Sequence, residues 1–62
     1  MITVTKLNDK QIVINSDLIE VIDSNPDTTI TMTTGRIIIA KEPVENIINK
    51  VVEHKRKIYT QF

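Results

Sequence analysis

The hydrophobic pattern of the chain changes its period once, near Pro43. Before that residue, apolar and polar positions alternate in short runs separated by Asn, Asp, Pro and Gly, which is typical of strands joined by turns. After it, apolar residues recur every three or four positions, as on one side of a helix. The pattern predicts strands over about residues 2–41 and one amphipathic helix over about residues 43–59, in a single domain spanning residues 1–62.

Composition supports a sheet-rich fold. Ile, Val and Thr make up 26 of the 62 residues, while Leu appears twice and Ala once. β-branched side chains fit the pleated surface of a sheet better than they fit a helix. We therefore predict an α+β fold, an antiparallel sheet of about five strands with one C-terminal amphipathic helix. The sheet is expected as a meander or as a small, partly open barrel.

The register of the first hairpin is left open by the sequence. Turn residues follow Leu7, so a two-residue turn would pair Val4 with Val13 and a three-residue turn would pair Val4 with Ile14. No glycine decides between them. The remaining strands are predicted between turns at 15–17, 25–27 and 34–35.

The last hairpin predicts two apolar faces. A two-residue turn at Thr34-Gly35 pairs Met32 with Ile37 and places one apolar set on the face expected under the helix: Ile19, Val21, Ile30, Met32, Ile37 and Ile39. The opposite face carries a second apolar set: Leu18, Ile22, Ile38 and Ala40. A chain of this length builds only a small core, so a second copy is the expected cover, and this set is the candidate self-association face. The alternative is that the first two strands curl over this face and form a small barrel.

Charge is balanced overall but unevenly placed. Residues 11–35 carry a net charge of −4 and residues 36–62 carry +3. The basic end of the predicted helix, Lys55, Arg56 and Lys57, is a candidate partner surface. The other interpretation is that these cations only balance the helix dipole.

The sequence lacks the parts of a catalytic or metal centre. It has no Cys, one His at position 54, and serines only at Ser16 and Ser24 in predicted corners. We therefore expect no enzyme activity, no cofactor and no metal site. Nucleic-acid binding is disfavoured because the aromatic residues are Tyr59 and Phe62 alone, too few for a stacking platform. Without a membrane span or signal peptide pattern, a cytoplasmic protein is expected.

Several short segments are distinctive in their order and spacing along the chain. They are Leu7-Asn8, Asn15 to Glu20, Pro26 to Thr28, Thr34-Gly35, Glu42 and the helix ending His-Lys-Arg-Lys-Ile. In order and spacing they resemble the FlbD/SwrD family of small bacterial flagellar proteins, over nearly the whole chain. The chain departs at Asp9, where the family usually has glycine, and at Pro43, where serine is common.

This resemblance implies a non-enzymatic accessory protein that supports motility, through swarming and motor power. The resemblance implies that the partner is a protein, and a component of the flagellar motor is expected. The chain would then lie at the inner face of the membrane near the motor. A homo-oligomer is expected alongside. The alternatives are a small regulator that binds nucleic acid through the basic helix end and a purely structural subunit of an oligomer.

Overall fold

The computed structural model describes residues 1–59, and the expected elements occur in the expected order. Five strands come first: β1 (Ile2–Thr5), β2 (Gln11–Ile14), β3 (Ile19–Asp23), β4 (Thr28–Met32) and β5 (Ile37–Ala40). The helix α1 (Val44–Tyr59) closes the fold. A single turn of 3-10 helix, Ser16–Leu18, makes the corner before β3, and the Asn15 side chain caps it by accepting from the Asp17 N–H at 3.1 Å.

The strands form two antiparallel sheets, so the prediction of an α+β fold is confirmed and that of one five-stranded sheet or barrel is wrong. β1 pairs with β2, and the second sheet has the order β3-β4-β5. Between the two, residues 1–59 show one isolated bridge, Lys6 with Ala40, beside which the Lys41 N–H donates to the Thr5 carbonyl at 2.8 Å. Beyond that point, side chains of Glu42 and Lys50 bind the outer edge of β1 in place of a strand.

Two of the hairpins use the same three-residue loop. In the first, the Lys6 N–H bonds to the Lys10 carbonyl and the Asp9 N–H to the Lys6 carbonyl. In the last, the same pair of bonds joins Met32 with Arg36 and Gly35 with Met32. The third loop residue has positive φ in both, 67° at Asp9 and 91° at Gly35. Asp therefore occupies a left-handed position that glycine fills without cost.

These loops shift both predicted registers. Val4 lies opposite Ile12, so neither register considered for the first hairpin is correct. In the last hairpin Ile38 lies opposite Ile30, one residue away from the predicted pairing, and β3 is displaced by one in the same way, with Ile22 opposite Ile30. Because side chains alternate along a strand, a shift by one residue exchanges the inner and outer sides of β5, and of β3 from Val21 onward, relative to β4.

The core draws on both sheets and on the helix. Its buried apolar residues are Ile2, Val4, Ile14, Ile30, Met32, Ile38, Ala40 and Ile47. Ile38 and Ala40, predicted on the outer face, therefore lie inside, under the β1–β2 hairpin residues of the same cluster. Ile37 and Ile39, predicted to be core, are 63% and 42% exposed. Val21, also predicted to be core, is 49% exposed.

The helix covers less of the sheet than its sequence predicts. Ile47 is fully buried, and Val51 packs against the core as a partly buried neighbour. Ile48, Val52 and Ile58 belong to the same pattern of three- and four-residue spacing, but they are 48%, 47% and 44% exposed. The apolar pattern therefore divides into a buried row and a second row at the surface, and α1 contacts β1 most extensively among the strands.

Candidate functional site

The outer edge of β1 is closed by two charged side chains. The Glu42 carboxylate accepts the Thr5 N–H at 2.9 Å and 3.0 Å through its two oxygens. The Lys50 ammonium donates to the Thr3 carbonyl at 2.6 Å and to Glu42 at 3.1 Å. Glu42 and Lys50 together form what we call the β1 clasp, which satisfies backbone groups that would otherwise be free to pair with a strand.

The β1 clasp also sets the charge state of Glu42. Partial burial raises the pKa of this carboxyl, but hydrogen bonds from the Thr5 backbone, from its own backbone and from Lys50 outweigh burial. The net pKa lies below its ordinary value of 4.5. Glu42 is therefore a carboxylate at neutral pH and belongs to the structural frame of the fold.

The edge of β5, in contrast, is open at Ile37 and at the N–H of Ile39, up to the bridge at Ala40. The Met32 N–H bonds to the Arg36 carbonyl, so residues 36, 38 and 40 direct their backbone groups toward β4. Backbone direction alternates along a strand, so Ile37 and Ile39 direct theirs away from the sheet. Within residues 1–59, no strand pairs with β5 on that side except at the bridge formed by Ala40.

A groove runs along this open edge, and we call it the β5 groove. It is lined by Lys6, Leu7, Asn8, Ile12, Arg36, Ile37, Ile38 and Ile39. Its exposed apolar side chains include Leu7 at 50% and Ile37 at 63%. The charged residues of the lining are Lys6 and Arg36, both cationic. The β5 groove therefore combines an unpaired strand edge, apolar walls and positive charge.

The β5 groove continues onto the outer face of the three-stranded sheet. Val21, Thr31 and Ile37 lie side by side on this face, one from each strand. Asp23, Thr29 and Ile39 form the neighbouring row. A strand added beside β5 would extend this face and place its own alternate side chains next to Ile37 and Ile39.

The basic helix end stands apart from the β5 groove. Lys55, Arg56 and Lys57 are exposed in the last turns of α1. The Arg56 guanidinium lies 3.5 Å from the Glu53 carboxylate, one turn earlier in the helix. His54 is half-buried and accepts a hydrogen bond from the Met1 amino group at 2.8 Å. Lys55 also lines an apolar groove between α1 and β3.

The candidate self-association face does not exist as a surface. Ile38 and Ala40 are 4% and 2% exposed and lie in the core, because the register is shifted by one residue. Ile22 is partly buried and packs against the same core. Leu18 is 41% exposed, but it lies in the 3-10 turn and not on a strand. The four residues therefore do not share an exposed face.

The length of the loop before β5 decides which of its side chains line the β5 groove. A three-residue loop with Gly35 in third place turns Ile37 and Ile39 outward, whereas a two-residue loop turns them inward. No pattern in the sequence indicates that the groove is also lined by Lys6, Leu7, Ile12 and Arg36. These residues meet only once the two hairpins are folded together.

The structure also bears on other kinds of site. Among the residues it describes, no three His, Asp or Glu side chains lie close enough together to hold a metal ion. In the same part of the chain, α1 is neither long enough nor apolar enough to cross a membrane.

Comparison with known proteins identifies a family. A family model described as flagellar and swarming motility proteins matches residues 1–59, which is nearly the whole chain. No curated protein matches the chain, and no solved structure matches it.

Proposed function

Since the chain belongs to the FlbD family of flagellar and swarming motility proteins, we propose that it supports motility by binding another protein, without chemistry of its own. The observation that carries this proposal is the open edge of β5 beside Ile37 and Ile39, which are 63% and 42% exposed. Proteins usually protect such edges with charge, proline or a covering element. An unprotected aliphatic edge is the typical acceptor of a strand from a partner.

The partner segment that fits the β5 groove is an extended strand that alternates apolar and acidic residues. Its backbone would pair with the outward N–H and carbonyl of Ile37 and with the outward N–H of Ile39. Its apolar side chains would contact Leu7 and Ile12, and its carboxylates would approach Lys6 and Arg36. Pairing of β5 with β5 of a second copy is disfavoured, because it would bring these cations together.

We propose a component of the flagellar motor as the source of this segment, on the cytoplasmic side of the membrane. The family match supports a role in motility, and the interaction with the motor is our extension of it. A homo-oligomer is part of the same proposal, although its contact must lie elsewhere than on Ile38 and Ala40, which are buried.

The test is swarming by cells that lack the gene and carry a variant copy. Ile37→Lys combined with Ile39→Lys places two cations on the β5 groove while leaving the buried face of β5 intact. Val13→Lys is the matched control, because Val13 is a strand residue that is 65% exposed on the other sheet. We expect both proteins to fold, as judged by circular dichroism, and the double variant alone to lose swarming.

Normal swarming by the double variant would overturn the proposal. A second pair of variants, Lys55→Glu and Lys57→Glu, addresses the nucleic-acid alternative. Loss of swarming in these helix variants alone, together with recovery of RNA or DNA that falls steeply with salt, would favour a regulator that binds nucleic acid.

A further inference from the structure

A second row of exposed side chains lies along α1, about 100° around the helix axis from the buried row of Ile47 and Val51. It consists of Glu45, Ile48, Val52 and Lys55, spaced by three, four and three residues. This is the spacing of the a and d positions of a coiled coil. Ile48 and Val52 are 48% and 47% exposed, and Glu45 and Lys55 are exposed at either end. We call these four residues the α1 seam.

The α1 seam borders a groove that the chain leaves unfilled. Between α1 and β3, this groove is lined by Ser16, Ile19, Ile22, Ile48, Val51, Val52 and Lys55. Ser16 is 8% exposed, and its hydroxyl has no hydrogen-bond partner among the described residues. A buried hydroxyl without a partner costs free energy, so the groove is incomplete in both its apolar and its polar contacts.

We propose that the α1 seam binds the α1 seam of a second copy, with the two helices antiparallel about a two-fold axis. Ile48 then lies opposite Val52 of the second copy, and Glu45 lies opposite its Lys55. The two-fold axis repeats both contacts, which gives two apolar layers flanked by two ion pairs. Antiparallel helices place an a position beside a d position, as the α1 seam requires.

The charges of the α1 seam favour a second copy as the partner and an antiparallel orientation of the two helices. Within residues 1–59 neither Glu45 nor Lys55 has an ion-pair partner. A parallel pair would bring Glu45 against Glu45 and Lys55 against Lys55, which repel. In the antiparallel pair every charge of the α1 seam meets its opposite. The α1 seam is thus complementary to itself, and no separate partner is needed to explain its pattern.

This dimer deepens the homo-oligomer part of the proposed function, on which it rests, and it shares no residue with the β5 groove. Its failure would leave the proposed partner strand untouched, and loss of that strand would leave the dimer intact. The contact is small, so we expect association only at high concentration, as in transient complexes.

Single cysteines test the orientation, since the natural chain has none. Glu45→Cys in one chain and Lys55→Cys in another should form a mixed disulfide under mild oxidation when the two are combined. Each alone should not, because ten residues of helix separate the two positions by about 15 Å, beyond the reach of a disulfide. Equal cross-linking of each variant alone would contradict the antiparallel arrangement.

Charge reversal tests the pairing in solution, by sedimentation of the wild type and variants over a range of concentrations. Glu45→Lys alone and Lys55→Glu alone should each weaken association by about tenfold, because two exposed pairs change from attraction to repulsion. An equimolar mixture should restore it, since the opposite charges meet again. Lys57→Glu, two residues from Lys55 and off the α1 seam, is the control and should associate like the wild type. A wild type that stays monomeric at millimolar concentration, or a mixture no stronger than its components, would overturn the proposal.

Discussion

The β1 clasp should contribute measurably to stability through the carboxylate of Glu42. Glu42→Ala removes the acceptor of the Thr5 N–H and the partner of Lys50 at once. The Glu42 side chain is 16% exposed, so water replaces these bonds only in part. A hydrogen bond to a charged group contributes about 1.5–3 kcal/mol, and the Lys50 pair adds less than about 1 kcal/mol because the lysine is more exposed. We expect a loss of about 2–3 kcal/mol in the free energy of unfolding.

The assay is urea unfolding followed by circular dichroism, with the midpoint and slope compared between variants. Glu53→Ala is the matched control, since Glu53 also forms an ion pair in which its side chain is 62% exposed. That change should cost about 0.5 kcal/mol or less. A Glu42→Ala protein as stable as the Glu53→Ala protein would refute the assignment of Glu42 to the edge of β1.

Acid should weaken the same contact. The pKa of Glu42 is lowered in the folded protein, so the folded state binds a proton less readily than the unfolded chain does. The stability that Glu42 contributes is therefore fully present above its ordinary pKa of 4.5 and is lost as pH falls through the lower folded value. Glu42→Gln should lose this component of the pH dependence and be less stable at neutral pH. An unchanged acid profile in Glu42→Gln would contradict the role of its charge.

Three further predictions concern the hairpins and the core. Gly35→Ala should cost about 1 kcal/mol through its positive φ alone, because nothing lies within 4 Å of an added Cβ, and urea unfolding measures it. Asp9→Gly should change the free energy of unfolding by less than about 0.5 kcal/mol in the same assay. Glycine removes the backbone strain at a φ of 67°, and this offsets the loss of the exposed ion pair with Lys41. Ile38→Lys should unfold the protein, seen as loss of the cooperative thermal transition, because Ile38 is 4% exposed; a folded variant would place Ile38 outside the core.

The elements could be predicted from the sequence because each has a local cause. Each element boundary is set by a residue within a few positions of it: Asn15 at the corner, Pro26 in the turn and Pro43 before α1. The helix begins at Val44, one residue later than expected, and the Pro43 carbonyl accepts the first bonds, from Asn46 and Ile47. The positive φ of Gly35 is local as well, but the loop that contains it is three residues long where the sequence predicts two.

The faces could not be predicted, because they depend on that one residue. A two-residue loop and a three-residue loop differ little in sequence, yet they exchange the inner and outer sides of β5. Every residue of β5 from Ile37 to Ile39 is isoleucine, so the strand itself carries no signal of which side is buried. The β1 clasp could not be predicted from the sequence either, since Glu42 and Lys50 contact β1 from about 40 residues away along the chain.

The central claim is that a partner protein binds at the open edge of β5. The most direct measurement is photo-cross-linking in swarming cells, with a photo-reactive amino acid in place of Ile37 in one strain and in place of Val13 in another. Both positions are exposed, at 63% and 65%, so the comparison isolates location. We predict a covalent adduct with a flagellar protein from position 37 and none from position 13. Equal adducts from both positions, or an adduct from position 37 only with a second copy of the chain, would contradict the account.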